Sequence, residues 1–444
     1  MPTSRHGAAV PRGLEVAPAR DLPFGRFGWM FPDLPACEVS EDAIAALSRR
    51  MRRQPPGVAN DNPCIPAGFT YLGQFIDHDI TFDPVSSLDR DIDPHALVNF
   101  RTPRLDLDSL YGAGPKVMPY LYDRESKPED ARLLIGDDDL PRNDQGRALI
   151  GDPRNDENVI VAQLHLLFLR FHNAAVDQVG DFDTAQSMVR WHYQWIVVHE
   201  FLPKIVGRVT ADEAMASLRH FAFDSEPFIP VEFSGAAYRF GHSMARSRYA
   251  LRHGAATAAK PLFPDLSGLR RLDPALVLDW GRFFKLEGEP GPQDSHRIDT
   301  TIANPLFDLP DGEKELAKRN LQRGRRLGLP SGQTVAKAMD LPALDEADLG
   351  LDPPELDGFR EQLRESTPLW YYILCEAARP GECDGQPMPG AHLGPVGGRI
   401  VAEVLVGLLV GDPASYLSKD PNWTPELGKD DDFTMADLIG FVRG

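Results

Sequence analysis

The chain has 444 residues, of which 42% are hydrophobic and 25% are charged, so it is long enough to bury a large core. Its acidic residues outnumber its basic ones by 66 to 47, and the formal net charge is −19. A surface this acidic repels phosphate backbones and anionic membranes, which makes nucleic acid an unsuitable partner. No signal-peptide pattern and no apolar run of about 18 residues occurs, so we expect a soluble chain without membrane insertion. Such a chain is cytoplasmic by default or exported by a non-classical route.

The four cysteines are spread along the chain at Cys37, Cys64, Cys375 and Cys383. They form no C-x-x-C pair and no C-x-x-C-H, which argues against a zinc knuckle and against thioether attachment of a haem. We therefore expect free, mostly buried thiols, with a Cys375–Cys383 disulfide as the alternative.

The first 38 residues are rich in Pro, Gly and Arg and show no periodicity, which predicts an N-terminal arm, either extended over the body or partly disordered, before a body of residues 39–444. A short helix is expected from Ser40 to Arg52, because Ser40 is a favourable N-cap and acidic residues follow it. Apolar runs with helical spacing dominate the rest, few segments alternate, and no internal repeat occurs. The predicted fold is mainly α, in one domain.

Residues 69–83, FTYLGQFIDHDITFD, place one amide, one histidine and three carboxylates in an apolar and aromatic segment. Ionisable groups in such a setting need a partner or a function. On a helix, Gln74 and His78 would share one face, while Asp77 and Asp79 would flank the histidine on either side. An amide and an imidazole would then line a pocket. The alternative is an acidic helix end with one buried histidine.

Two further segments carry polar chemistry. Four oxygen donors lie within eight residues of one loop, and hard cations such as calcium bind several such oxygens at once; an acidic loop is, however, more often simply solvated. These donors are Thr102, Asp106, Asp108 and Ser109.

Next, GDPRNDE at residues 151–157 leads into a long apolar helix, where Arg154 and Glu157 are expected to share one helix face.

That helix carries His165 and His172, seven residues apart and near one face. They could form a metal pair, but no third ligand stands at a usual spacing. We interpret both as satisfied histidines of the core or of the helix surface.

Five motifs then follow one another in the order found in the animal-type haem peroxidases of the peroxidase-cyclooxygenase superfamily. They are GQFIDHDITF, the acidic loop ending in Tyr111-Gly112, GDPRNDE, the R-F-G-H of AAYRFGHSMARSRYAL, and NLQRGRRLGLP. The chain resembles that family from about Phe69 to Arg323, as a short bacterial member. The resemblance implies one mainly α domain with haem b held between core helices.

By this resemblance the chain is an enzyme that uses hydrogen peroxide to oxidise a small halide, thiocyanate or phenolic substrate through a ferryl-haem intermediate. His78 would be the base and then the acid, Arg154 would stabilise developing charge, and Gln74 would hold water or a halide. The implied cofactor-binding residues are His242 as the axial iron ligand, Asn320 accepting its imidazole N–H, Arg239 and Arg323 at the propionates, and Asp77 and Glu157 as ester links to the haem.

The resemblance also implies a calcium site. Its ligands would be Asp79, Thr102, the Arg104 carbonyl, Asp106 and Asp108. Some members carry serine where this chain has Asp108, and the exchange adds a charge that should tighten cation binding. A sulfonium link to the haem is not expected, because Asn158 stands where the linking methionine would be.

Two alternatives remain. A fatty-acid dioxygenase of the same superfamily needs a tyrosine three residues before the proximal histidine, whereas this chain has Arg239 there and Tyr238 one place earlier. The other alternative is a non-catalytic haem-binding or adhesion protein, which would be expected to lack His78 or Arg154.

Overall fold

A computed structural model describes residues 25–52, 60–82, 98–126, 131–223, 226–254, 258–309 and 313–444. Residues 1–24, most of the predicted arm, lie outside the described residues. The rest of the arm packs against the body, because the buried carboxylate of Glu232 accepts hydrogen bonds from the backbone N–H groups of Met30 (3.0 Å) and Phe31 (2.9 Å).

The described residues are mainly helical, as the sequence predicts. In chain order the α-helices are α1 (Glu41–Met51), α2 (Gly68–Ile80), α3 (Asp108–Tyr111), α4 (Val159–Val179), α5 (Phe182–Trp195), α6 (Leu202–Val206), α7 (Arg208–Ala216), α8 (Val231–Gly235), α9 (Gly241–Met244), α10 (Leu316–Arg326), α11 (Gly332–Ala338), α12 (Arg360–Glu365), α13 (Leu369–Ala377), α14 (Pro395–Gly411), α15 (Tyr416–Lys419) and α16 (Met435–Arg443). A π-helical turn, Ile196–Phe201, continues α5, and short 3-10 turns include Pro153–Asp156, Ala237–Phe240 and Trp280–Arg282.

The strands are short, with two to six residues each. They are β1 (Gly25–Gly28), β2 (Asp61–Pro66), β3 (Val98–Asn99), β4 (Ile229–Pro230), β5 (Arg248–Tyr249), β6 (Lys260–Pro261), β7 (Asp294–His296), β8 (Pro380–Cys383) and β9 (Gln386–Pro389). Strand β1 pairs antiparallel with β3 and parallel with β4, and the pairs β2–β7, β5–β6 and β8–β9 are antiparallel.

Local sequence explains the helix starts. Ser40 accepts a hydrogen bond from the Ala43 N–H, which confirms it as the N-cap of α1. Helix α4 begins after Asn158, whose side-chain oxygen accepts from the N–H groups of Ile160 and Val161. Both caps satisfy backbone donors that the first helical turn leaves unpaired.

Helix α4 runs through the core and packs against α2, α5 and α16. Among the described residues it alone is long and apolar enough to span a membrane by those two criteria, and 89% of its most apolar window is buried inside the protein. Its position is therefore that of a core helix. Helices α2 and α5 both pack against α4. The core helix therefore helps to position α2, which carries the histidine of the first motif.

The cysteine expectations were only half correct. Cys37 and Cys375 are free and buried, but Cys64 and Cys383 form a disulfide with a Cα–Cα distance of 5.8 Å. Neither the four free thiols nor a Cys375–Cys383 bond is found. The partners are 319 residues apart, and only the folding of strand β2 against β7 and of the β8–β9 hairpin beside them brings them together.

Cys383→Ser should lower the free energy of unfolding by about 2–4 kcal/mol, because a cross-link between such distant residues restricts the unfolded chain. Chemical denaturation measures the change. Cys375→Ser, which removes a free buried thiol and keeps the Cys64–Cys383 bond, is the control: its unfolding midpoint should still respond to a reductant, as that of the parent protein should, whereas that of Cys383→Ser should not. Alkylation of all four thiols after unfolding without a reductant would contradict the pairing.

Candidate active site

A cavity of about 620 Å³ lies between α2 and the segment that contains α9. It brings together side chains from distant parts of the sequence, and most of the predicted cofactor and catalytic residues lie in its wall. These are Gln74, Asp77, His78, Arg154, Glu157, Arg239 and His242. Asn320 and Arg323 are not part of this wall but lie behind His242.

Helix α2 presents Gln74 and His78 to the cavity, one turn apart on one face, as the spacing predicts. Asn158 donates a hydrogen bond from its amide to Gln74 Oε1 at 3.1 Å, so the residue that caps α4 also orients the glutamine. Asp77 lines the same cavity as His78, whereas Asp79 is fully buried and faces the acidic loop.

The imidazole of His78 is 5% exposed and hydrogen-bonded on the side away from solvent. Its Nδ1 lies 2.8 Å from Asn155 Oδ1, an arrangement in which the Nδ1–H donates and Nε2 is left as a proton acceptor. Burial and the nearby Arg154 guanidinium lower the pKa of His78 to about 4. The ring is therefore a neutral base at ordinary pH.

Asn155 was not anticipated from the sequence. Its Nδ2 lies 2.9 Å from His165 Nδ1, so one amide links the two imidazoles of His78 and His165. His165 is fully buried, and its Nε2 has no hydrogen-bond partner among the described residues. In the sequence, the only feature that could have indicated this role of Asn155 is its position inside GDPRNDE, at a place that the motif leaves variable.

Arg154 does not lie on the helix face that we expected. It belongs to the 3-10 turn Pro153–Asp156, and α4 begins only at Val159. Pro153 and the Asn158 cap favour this separate turn before the helix. Glu157 ends the turn, and both side chains nevertheless reach the cavity.

Asp152 holds the Arg154 guanidinium in place. Arg154 donates from Nε to Asp152 Oδ1 (3.1 Å) and from Nη2 to Oδ2 (2.8 Å), and Nη2 also donates to the His78 carbonyl at 3.1 Å. Arg101 donates to the same carboxylate from Nη2 at 2.6 Å. Asp152 is fully buried, and although burial opposes ionisation, Arg154 and Arg101 leave its pKa well below the usual range.

The two candidate ester carboxyls have different electrostatic surroundings. Burial raises the pKa of Glu157. Burial also acts on Asp77, but Arg239, His78 and Arg154 outweigh it and lower the pKa of Asp77. The Arg239 Nη1 lies 3.8 Å from Asp77 Oδ2.

His242 lies on α9, with its Nδ1 2.7 Å from Asn320 Nδ2. In this orientation Asn320 donates, whereas we expected it to accept; a half-turn of the amide would place its oxygen there. Burial, with Arg239 and Arg323 nearby, lowers the pKa of His242 to about 3, which keeps the imidazole neutral. Arg323 donates to Asn320 Oδ1 at 3.4 Å, and the cavity wall contains Arg319 from the preceding turn of α10.

A second cluster of polar groups lies beside α2. Asp79, Asp106 and Asp108 bring carboxylate oxygens within 4.8 Å of one another. Thr102 donates from its hydroxyl to Asp106 (2.9 Å), and Asp79 accepts from the Leu107 N–H (3.1 Å). Burial and the charge of Asp106 raise the pKa of Asp79 to about 7.

The interpretation of the two α4 histidines as core residues agrees with their burial, but only His172 has partners at both ring nitrogens, whereas His165 Nε2 has none among the described residues. Both side chains are fully buried. His172 Nδ1 lies 3.0 Å from the Tyr111 hydroxyl and its Nε2 lies 3.2 Å from the Ala131 carbonyl, while His165 contacts Asn155. The two rings have separate partners and do not form a metal pair.

Residues 86–349 match the family model described as animal haem peroxidase, which is more than half of the chain. The chain belongs to the animal haem peroxidase family. The matched residues include Arg154, His242 and Asn320, whereas His78 precedes them. Membership implies a haem cofactor.

Relatives of this family are similar along part of the chain. Peroxidase mlt-7 of Caenorhabditis elegans is 24% identical over 315 residues, which cover 64% of this chain and 42% of that protein. Chorion peroxidase of Drosophila melanogaster is 27% identical over 226 residues, or 46% of this chain and 28% of that protein. The chain thus spans less than half the length of these family members.

Solved structures show the same fold. Peroxidase A from Dictyostelium discoideum superposes with a TM-score of 0.64 at 16% identity, covering 94% of this chain and 96% of that one. A fatty acid alpha-dioxygenase of Oryza sativa superposes with a TM-score of 0.60 at 14% identity, covering 92% and 77%. The family fold therefore extends over nearly the whole chain.

The cavity suits a haem by its volume and by its side chains. Its 620 Å³ lies within the range of roughly 300–1,000 Å³ that is usual for buried ligands. Neutral imidazoles suit iron, and guanidinium groups such as those of Arg239 and Arg319 suit the carboxylates of a propionate. These residue types all occur in one wall.

Asp152→Asn should lower the free energy of unfolding by about 3–5 kcal/mol, because the buried guanidinium of Arg101 and the partly buried one of Arg154 would lose their shared counter-charge. Urea denaturation measures the difference. Asp177→Asn is the control: its side chain is 62% exposed and pairs with Arg132 at the surface, so we expect a change of under about 1 kcal/mol. Equal effects of the two substitutions would contradict the role assigned to Asp152.

Proposed function

We propose that this chain is a haem peroxidase that uses hydrogen peroxide to oxidise a small reducing substrate. The supporting observation is the pairing in one cavity of a neutral histidine base, His78, with a fixed guanidinium, Arg154. The known relatives' names are consistent with this reaction, although the chain spans only part of their length.

Haem would be held by residues on both sides of the cavity. His242 would bind the iron, Asn320 would orient its imidazole, and Arg239 and Arg319, with Arg323 behind them, would attract the propionates. Asp77 and Glu157 both line the cavity and are the candidates for ester links. When bound, haem supplies the iron chemistry that reduces peroxide and oxidises the second substrate.

The chain's own groups would move the protons. Nε2 of His78 would take a proton from the bound hydrogen peroxide and return it to the departing oxygen. Arg154 would stabilise the negative charge that develops as the O–O bond breaks. Asn155 acts as a positioning residue, because its oxygen holds the His78 proton on Nδ1. Gln74 would hold water or a halide beside them.

A fatty-acid dioxygenase is the second candidate, and one observation favours it. Tyr238 lines the cavity, is 7% exposed, and its hydroxyl has no hydrogen-bond partner among the described residues. The position three residues before His242 is nevertheless Arg239. The likeness to fatty acid alpha-dioxygenases, at 14% identity, concerns the fold alone.

His78→Ala should slow the reaction of the haem-loaded protein with hydrogen peroxide by about 100-fold or more, because the proton acceptor is lost. Stopped-flow absorbance with stoichiometric peroxide measures the rate, and the Soret band verifies haem loading. Asn155→Ala should slow it by roughly 10-fold, as loss of an orienting partner does. His199→Ala, at a histidine that contacts Tyr416 outside the cavity, is the control.

Three other outcomes of these experiments would contradict the peroxidase proposal. Haem binding without peroxide-dependent oxidation of halide, thiocyanate or phenol would favour the non-catalytic alternative. Oxygen uptake with a fatty acid that is abolished by Tyr238→Phe would favour the dioxygenase. Absence of a Soret band would overturn both enzymatic proposals.

We also propose that the acidic cluster binds calcium. The oxygen ligands that this hard cation prefers would come from Asp79, Asp106, Asp108 and Thr102 and, by the family resemblance, from the Arg104 carbonyl. The observation that supports the proposal is the convergence of three carboxylates, whose mutual repulsion Arg101 compensates only in part, through an ion pair with Asp108, and a bound cation would relieve.

Removal of calcium with EGTA should lower the thermal unfolding temperature, and added Ca²⁺ should restore it, because the ion binds only the folded cluster. Asp106→Asn should abolish this response, since it removes one charged ligand. Asp138→Asn, at a side chain that is 69% exposed, should respond as the parent protein does. Differential scanning calorimetry measures all three, and a parent protein insensitive to EGTA and Ca²⁺ would contradict the site.

A further inference from the structure

Three potential metal ligands converge at a place remote in sequence from the calcium cluster. His253 follows β5, Asp279 caps the 3-10 turn Trp280–Arg282, and Glu289 lies in the loop before β7. One ligand atom from each lies within 4.8 Å of the other two, and His253 Nε2 is 3.7 Å from Asp279 Oδ2. None of the three lines the proposed haem cavity.

The atoms that face one another lack competing partners. His253 Nε2 is shielded from solvent and accepts or donates no hydrogen bond among the described residues. Asp279 uses Oδ1 to accept from the Gly281 N–H (3.1 Å) and to approach Arg443 (3.9 Å). Arg443 also donates to Glu289 Oε1 at 2.6 Å. Asp279 Oδ2 and Glu289 Oε2 remain to face the imidazole.

Gly281 provides the space for this convergence. A Cβ atom at this position would lie 1.9 Å from Glu289 Oε2 and 3.0 Å from His253 Nε2. Its backbone is not left-handed, so conformational freedom does not explain the glycine. The absence of a side chain at Gly281 leaves room for the carboxylate and the imidazole to approach the same point.

The distribution of charge around the three side chains favours a bound cation. Two carboxylates meet here, and Arg443 supplies one positive charge toward their outer oxygens. The inner oxygens face the imidazole of His253, and a cation bound there would reduce their mutual repulsion. The side chains are between 21% and 29% exposed, which leaves the site open to ions from solvent.

We propose that His253, Asp279 and Glu289 bind a divalent transition-metal ion such as Zn²⁺. One imidazole nitrogen with two carboxylate oxygens suits zinc and its neighbours, whereas calcium prefers oxygen ligands alone. A separation of 3.7 Å between two ligand atoms is compatible with metal bonds of about 2.0–2.2 Å to each. Three protein ligands leave a coordination position for water, and the ion would link three separate loops.

Isothermal titration calorimetry with Zn²⁺ tests the proposal. The tag-free, haem-loaded chain of 444 residues is treated with a chelator and then held in excess Ca²⁺, so that the acidic cluster is saturated. We expect one Zn²⁺ per chain for this site. His253→Ala and Glu289→Gln should each weaken that binding by 10-fold or more, because each removes one ligand.

Two further variants make the test specific. Gly281→Ala retains all three ligands but places a methyl group against Glu289 Oε2, so it should also weaken binding. Glu287→Gln changes the same charge two residues away, at a side chain that is 93% exposed, and should bind as the parent protein does. Circular dichroism and the Soret band verify that each variant is folded.

The proposal is overturned if the parent protein binds no stoichiometric Zn²⁺ in excess Ca²⁺. It is equally overturned if the affinity of Glu289→Gln and of Gly281→Ala equals that of Glu287→Gln. Binding that is lost in the ligand variants and retained in Glu287→Gln supports it, whether or not the protein shows peroxidase activity.

Discussion

The buried carboxylate of Asp152 connects the two polar regions of the structure. It accepts hydrogen bonds from Arg154, which reaches the cavity, and from Arg101, whose Nη1 lies 3.4 Å from Asp108 in the acidic cluster. A fully buried carboxylate with two guanidinium partners is strongly constrained, because any displacement leaves a charge without compensation. The position of the proposed transition-state stabiliser thus depends on the same ion pairs that support the proposed calcium site.

Helix α2 also connects the cavity with the acidic cluster, because three consecutive residues of this helix contribute to the two sites. Asp77 and His78 line the cavity, and Asp79 turns toward the acidic loop, where it accepts from Leu107 and Ser109. Because neighbouring residues on a helix point about 100° apart, one rigid element can supply both sites. A cation among the three carboxylates would therefore hold the helix that carries the proposed base.

Hydrogen bonds to the imidazoles set their chemistry. His78 and His242 each have Nδ1 next to an asparagine amide, at 2.8 Å from Asn155 and 2.7 Å from Asn320. Burial keeps both rings neutral, which a proton acceptor and an iron ligand each require. The Asn320 partner was expected from its motif. The Asn155 partner was not expected, because its contact with His78 depends on the 3-10 turn Pro153–Asp156, which directs the Asn155 side chain into the protein interior.

Local patterns were sufficient for the helical character, for the Ser40 cap and for the shared face of Gln74 and His78, because these depend on residues within one or two turns. Ordered motifs indicated the family and seven residues of the cavity wall. Tertiary structure alone decided the Cys64–Cys383 bond and the inward direction of Asn155. It also decided that Arg319, and not Arg323, lies in the cavity wall, and that three distant residues converge, namely His253, Asp279 and Glu289. Each of these joins or selects side chains by packing between distant segments, and no local spacing in the sequence encodes such contacts.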